Sequence, residues 1–331
     1  MKSLDQKLAR IRSGAYTPAD FIIADAKDAD MALGLTAPGP SRRSDGVATE
    51  KFATRATYLD AIRTMTRSGL VDIMLTSVST AELLTNEGLF ADNAVTPAVR
   101  YNDTSDIWYP RHGRYGTEPS RPFRSARLPR VRQFVDLGLY SITLSNEIEH
   151  DLTTIEAYSA FRAEITEQGM RHFLEVFNPT FDIGVPKNKL GQFIADSIVS
   201  RLAGVVSVEQ PVFLKIAYNG REAMEDLASY DPQRLIVGIL GGAEGTTRDT
   251  FELISQAEQS GARVALFGRK INLSQNPLDL VRFMRAVVAR EMSPQEAVKA
   301  YHGTLQEKGI VPALSLADDI EISDPVLREE R

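Results

Sequence analysis

The chain contains no cysteine, which excludes disulfide staples, thiolate nucleophiles and Cys-ligated zinc or iron–sulfur centres. Its four histidines, His112, His150, His172 and His302, fall in no HxH or HExxH spacing, so no His-held metal is expected. No apolar run approaches the roughly 18 residues that a membrane span needs. The first twenty residues, MKSLDQKLARIRSGAYTPAD, are mixed and charged without a secretory apolar core. A cytoplasmic protein with no membrane partner is expected. Walker A is missing, and GGAEG is not the GxGxxG that follows a first strand in dinucleotide-binding folds, so no nucleotide cofactor is expected. Lys plus Arg number 38 against 44 Asp plus Glu, and a net charge of −6 argues against a general nucleic-acid binder.

What is present is ordinary globular material: 331 residues, 43% hydrophobic and 25% charged, enough for a sizeable core. Short apolar runs alternate with segments of helical period, the pattern of parallel βαβ units. Candidate strands are Phe21–Ala24, Asp72–Leu75, Val95–Val99, Tyr140–Leu144, Phe173–Phe177, Val212–Ile216, Leu235–Leu240 and Val264–Phe267. Eight such strands without a Pro-rich or Gly/Ser-rich seam predict an α/β protein of one domain, a single (β/α)8 TIM barrel. The barrel core is expected over about residues 20–290, with an extra C-terminal helix and tail over 291–331. Thr246 or Thr247, Asn276 followed by Pro277, and Ser293 are helix-capping signals.

A long insertion, Asn102–Arg132, falls between the third and fourth candidate strands. It carries seven arginines beside Trp108, Tyr109 and His112. Leaving the C-terminal mouth of a barrel, it reads either as an anion-handling lid or as a solvated surface excursion.

Ionisable side chains inside apolar strands are the candidates for chemistry. Lys215 stands in VFLKIAYNG, Glu175 in RHFLEVFNP and Asp25 in FIIADAKDAD. A lysine held among apolar neighbours loses solvation of its ammonium form, and a neutral amine can add to a ketone and form a Schiff base. Glu175, on the preceding strand roughly 5 Å away, could shuttle protons, and Asp25 could orient a substrate hydroxyl. Taken singly, each residue is equally open to a buried ion pair. Gly241 and Gly242 end the seventh candidate strand, and Gly268 and Arg269 the eighth, the place where such barrels cradle phosphate.

The segments FIIADAKDADMALGL, HFLEVF, VFLKIAYNG, GILGGAEGTTRDTFELISQA and GARVALFGRKINLSQNPLDLVRFMRAVV together resemble the Schiff-base (class I) aldolases. The group is that of the deoxyribose-phosphate, archaeal-type fructose-bisphosphate and tagatose-bisphosphate aldolases, with tagatose-bisphosphate and sulfofructose-phosphate aldolases nearest. The resemblance implies Lys215 as the imine-forming lysine, Glu175 as acid/base, Asp25 at the end of the first strand, and Gly241, Gly242, Gly268 and Arg269 as the phosphate cradle. It implies cleavage of a ketose phosphate to dihydroxyacetone phosphate and an aldehyde without a metal. The fourth candidate strand, LYSITLSNEIE, lacks the lysine common in the sugar-bisphosphate members, and the seventh lacks the second lysine of deoxyribose-phosphate aldolases. The turn after the first strand is Asp25–Ala26–Lys27–Asp28, so Lys27 is a candidate substrate contact. Two alternatives stay open, a thiolase- or transaldolase-like transferase using the same lysine and a non-catalytic sugar-phosphate-binding barrel. The expected partner is a phosphorylated sugar, not nucleic acid, and a homo-oligomer is expected for a barrel of this kind.

Overall fold

The computed structural model describes residues 1–242 and 245–328. Eight parallel strands close into a barrel: β1 (Ile22–Lys27), β2 (Ile73–Thr76), β3 (Thr96–Arg100), β4 (Leu137–Thr143), β5 (Arg171–Phe177), β6 (Leu214–Ile216), β7 (Gly238–Leu240) and β8 (Val264–Phe267). Each strand pairs with the next in chain order and β8 returns to β1. The eight expected strands are all there with displaced ends, and two of the displacements matter for function: β1 runs on to Lys27 and β3 on to Arg100.

Strands buried on both faces read as continuous apolar runs, which hides which side chains point inward. Packing separates them. Ile22, Ala24, Ala26, Leu139, Phe213 and Leu266 share the cluster inside the barrel, whereas Ile23, Met74, Val99 and Ile216 pack outward with the helices. Phe173 and Phe213, side by side on neighbouring strands inside the barrel, stack at 4.6 Å between ring centroids, and truncating either to alanine costs about 3–5 kcal/mol. The N-terminal helix Ser3–Arg12 adds Leu4, Leu8 and Ile11 to the same cluster and so plugs one end of the barrel. The opposite mouth is left for chemistry.

Helices follow the strands as expected, among them Arg55–Ser68, Ile148–Glu167, Leu190–Leu202 and Arg221–Tyr230. Thr246 caps Thr247–Gln259 and Asn276 caps Pro277–Val288, each side chain accepting a hydrogen bond from the backbone N–H three residues on. Ser293 does the same for the extra helix Pro294–Glu307. No described helix is long and apolar enough to cross a membrane. After β3 only the single turn Leu128–Val131 stands where a barrel helix belongs, so Asn102–Arg132 replaces a helix rather than being inserted beside one. A second excursion, residues 28–54, carries the antiparallel ribbon Pro40–Arg42 with Ala48–Phe52; its polar, aperiodic sequence had predicted nothing. The C-terminal tail docks on its own chain. Ser323 N–H donates to Asp249 at 2.8 Å, Gln256 donates to the Leu327 carbonyl at 3.0 Å, and Asp319 pairs with buried His302 at 2.8 Å.

Candidate active site

Register lines up three neighbouring strands. Lys215 on β6 is level with Glu175 on β5, and Glu175 with Ser141 on β4, so all three point to the same side, the barrel interior. Lys215 Nζ lies 2.6 Å from Glu175 Oε1, with both side chains nearly sealed from solvent. The other carboxylate oxygen, Oε2, accepts from Ser141 Oγ at 2.7 Å and from Arg100 Nη2 at 3.1 Å. Glu175 therefore has one oxygen fixed by partners and one turned to the lysine.

Arg100 is the hub, and its residue type was passed over in the sequence because it terminates its strand. Its Nε donates to Asp28 Oδ2 at 2.5 Å and its Nη1 to Ser141 Oγ at 2.6 Å, while Nη1 also lies 3.3 Å from Asp103 Oδ1. Burial alone would weaken the guanidinium's hold on its proton, but Asp28, Glu175 and Asp103 more than offset that and push its pKa above the usual arginine range. The same balance works in reverse on Asp28. Desolvation opposes its charge, yet Arg100 and Lys215 hold the carboxyl below the ordinary carboxylate range. Asp103 differs, since burial dominates over Arg100 and, helped by the negative charge of Asp28 and Glu175, pushes it up to about 6.

These groups open into a cavity of about 310 Å³ at the mouth of the barrel. Lys215, Glu175, Arg100 and Asp28 form its floor and polar wall. Gly241, Gly242, Gly268 and Arg269 line it as well, so the expected cradle and the expected lysine share one cavity. Gly242 has φ +68°, the left-handed region, and a Cβ on Gly268 would come within 2.9 Å of the Ala26 carbonyl, so both positions favour glycine. Arg269 is exposed and donates to the Gly242 carbonyl at 3.2 Å.

Two expected residues are not there. Asp25 and Lys27 lie on the opposite face of β1, among the outward-facing side chains, where they pair with each other at 3.0 Å, fully buried. Burial raises the Asp25 pKa and Lys27 opposes the rise. The physical reason is strand parity: inward positions on β1 are Ile22, Ala24 and Ala26, and the next inward position is Asp28. Asp28 is the first-strand carboxylate of the cavity, and continuing the alternation by one step in the sequence would have found it.

The insertion after β3 does cover the cavity in its first part. Ile107 and Tyr109 line it, and Tyr109 N–H donates to the Ala32 carbonyl of the β1 excursion at 2.9 Å. The arginines of 111–132 do not line it, and those described lie outside: Arg111 over the Phe52 ring, Arg124 paired with Glu164. The segment roofs the cavity with Ile107 and Tyr109 while its arginines lie elsewhere, which favours the surface excursion over an anion-handling lid.

A larger hollow of about 790 Å³ lies at the other end of the barrel, around Arg171, His172 and Val212, with no lysine in its wall. His172 is buried there, in contact with the Tyr158 hydroxyl at 2.8 Å, and burial together with the Arg162 charge lowers its pKa to about 3. Among the described residues no three His, Asp or Glu side chains converge as metal ligands.

No protein-family model matches the chain, and no curated protein matches its sequence. Solved structures do match its fold. An archaeal fructose-1,6-bisphosphate aldolase, with its catalytic lysine covalently bound to the carbinolamine intermediate of the substrate, is similar at 14% identity with TM-score 0.62, over 86% of this chain and 99% of that one. A fructose-bisphosphate aldolase from Slackia heliotrinireducens matches at 13% identity and TM-score 0.63, over 91% and 90%. A structure from Corynebacterium glutamicum matches at 18% identity and TM-score 0.55, over 87% and 98%. At these identities the likeness is one of fold, and it places the chain among barrels that include Schiff-base aldolases.

Proposed function

We propose that this chain is a class I aldolase that makes and breaks a carbon–carbon bond of a ketose phosphate through an imine on Lys215. The observation that carries the reading is the Lys215–Glu175 pair at 2.6 Å on the floor of a cavity that is also walled by the glycine–arginine cradle. A structural ion pair needs no cavity; a nucleophile does. The lysine-bound carbinolamine of the similarly folded archaeal aldolase supports the same chemistry.

In the proposed sequence the Lys215 amine adds to the substrate ketone, and Glu175, through the oxygen not held by Ser141 and Arg100, protonates the departing hydroxyl. The resulting iminium accepts the electron pair of the adjacent carbon–carbon bond as that bond breaks, and the hydroxyl proton on the leaving carbon passes to a carboxylate. Asp28, kept ionised by Arg100 and Lys215, is suited to that role. Aldehyde departs, the enamine is protonated on carbon, and water releases dihydroxyacetone phosphate and the free lysine. Arg100 stays charged throughout and fixes both carboxylates.

The test is aldol turnover with dihydroxyacetone phosphate and a panel of short aldehydes, for the native chain and for Lys215→Met. Turnover that disappears with Lys215 and survives chelation of divalent metal is expected. Tight phosphate-ester binding with no turnover for any aldehyde would identify a non-catalytic sugar-phosphate-binding barrel instead.

A further inference from the structure

Resting on the aldolase reading, we infer that the substrate carries one phosphate, held by the cradle, and that the remainder of the molecule, including the aldehyde it releases, is uncharged. The observation is how the cavity's cations are committed. Three described cationic side chains line it: Arg100, Lys215 and Arg269. Arg100 has its three nitrogens taken by Asp28, Ser141, Glu175 and Asp103 and has no edge left for a bidentate anion. Lys215 is against Glu175, and in the proposed reaction its nitrogen is spent on the ketone. Of the three, Arg269 alone is exposed, and among the described residues it is bound only to a carbonyl, beside Gly242 and Gly268.

Counted formally, these three cations face Asp28, Glu175 and, behind Arg100, Asp103, which leaves no surplus positive charge among the described side chains for a second anion. One phosphate has Arg269, beside Gly242 and Gly268, to meet it. A second would meet Ile107, Phe177, Asn178, Thr180 and Ala217 along the walls after β3, β5 and β6, where no described side chain is cationic. Burying a charge against such walls without a partner is unfavourable. Lys27, the other cation near β1, is sealed on the outer face with Asp25 and cannot reach in.

The experiment is calorimetric titration of the full chain with 6-hydroxyhexyl phosphate and with hexane-1,6-diyl bisphosphate, which differ only in the second phosphate. The expected result is that the monophosphate binds one site per chain and that the bisphosphate is no tighter beyond its roughly twofold statistical advantage. Arg269→Ala should weaken both by about tenfold or more, the scale of one charge-assisted contact. A bisphosphate at least tenfold tighter, or no monophosphate binding, overturns the inference. Borohydride reduction with dihydroxyacetone phosphate, run on the same preparation, separates the two readings. A missing imine removes the aldolase assignment, while the titration still decides the charge balance of the cavity.

Discussion

Two buried lysine–carboxylate pairs stand on strands of this barrel, and they are nearly indistinguishable in sequence. Lys27 with Asp25 belongs to β1, and Lys215 with Glu175 bridges β5 and β6; the separations are 3.0 and 2.6 Å. The first is packed between strand and helix layer and lines no described cavity, whereas the second floors the mouth. The second is also wired to Arg100, Ser141 and, through Arg100, to Asp28, while the Asp25 oxygens accept no well-formed hydrogen bond. Charge, burial and partner type are shared, so none of them marks function here. On the proposed aldolase reading, which face of the strand a residue occupies is what separates the structural pair from the reactive one.

Substitutions can break that contrast. The largest expected effect is Lys215→Met, a loss of turnover on the order of 10⁴-fold or more with an unchanged circular dichroism spectrum. Lys27→Met, together with Asp25→Leu, should leave kcat within about threefold, because a buried pair replaced as a whole by apolar groups is often neutral. Glu175→Gln should slow turnover by about 10²–10⁴-fold, the range of a lost proton shuttle, and Asp28→Asn should act in the same direction. Single-turnover kinetics would assign the two losses to imine formation and to carbon–carbon cleavage respectively. Asp25→Asn should leave the chemistry intact and lower stability by about 3 kcal/mol, since it strands Lys27 without a counter-charge; urea unfolding measures it. If Asp25→Asn instead abolished turnover at native stability, the contrast between the two faces would fail.

The smallest effect is a pH dependence. Asp103 is pushed up to about 6 by burial, so between its ordinary range and pH 6 the folded chain holds a proton that the unfolded chain has lost. Stability from this group therefore falls as pH rises from about 4 to 6, by a few kcal/mol at most. Asp103→Asn, which cannot ionise, should flatten that slope in thermal melts across the window.

Much of this was legible in the sequence because apolar runs and caps report local physics. The eight strands, the capping roles of Thr246, Asn276 and Ser293, and the glycine turns after β7 and β8 all follow from residue type at a short range. The position of Lys215 opposite Glu175 was legible too, since adjacent parallel strands of similar length align their charges. The face occupied by Asp25 was harder to read, because β1 is buried on both faces and its apolar residues stand on both, so the inward parity shows only once Ala24 and Ala26 are counted on to Asp28. Arg100 was missed because a charged residue at a strand end looks like the start of a loop, and its role depends on Asp28, Asp103 and Glu175 arriving from distant parts of the chain. The excursion over residues 28–54 has no period or cap to announce it.

The most direct measurement is borohydride trapping with dihydroxyacetone phosphate followed by peptide mapping of the reduced adduct. The account predicts a single adduct on the peptide containing Lys215, lost in Glu175→Gln at short reaction times and unaffected by changes at Lys27. An adduct on Lys27, or none on Lys215 under conditions where phosphate esters bind, would contradict it.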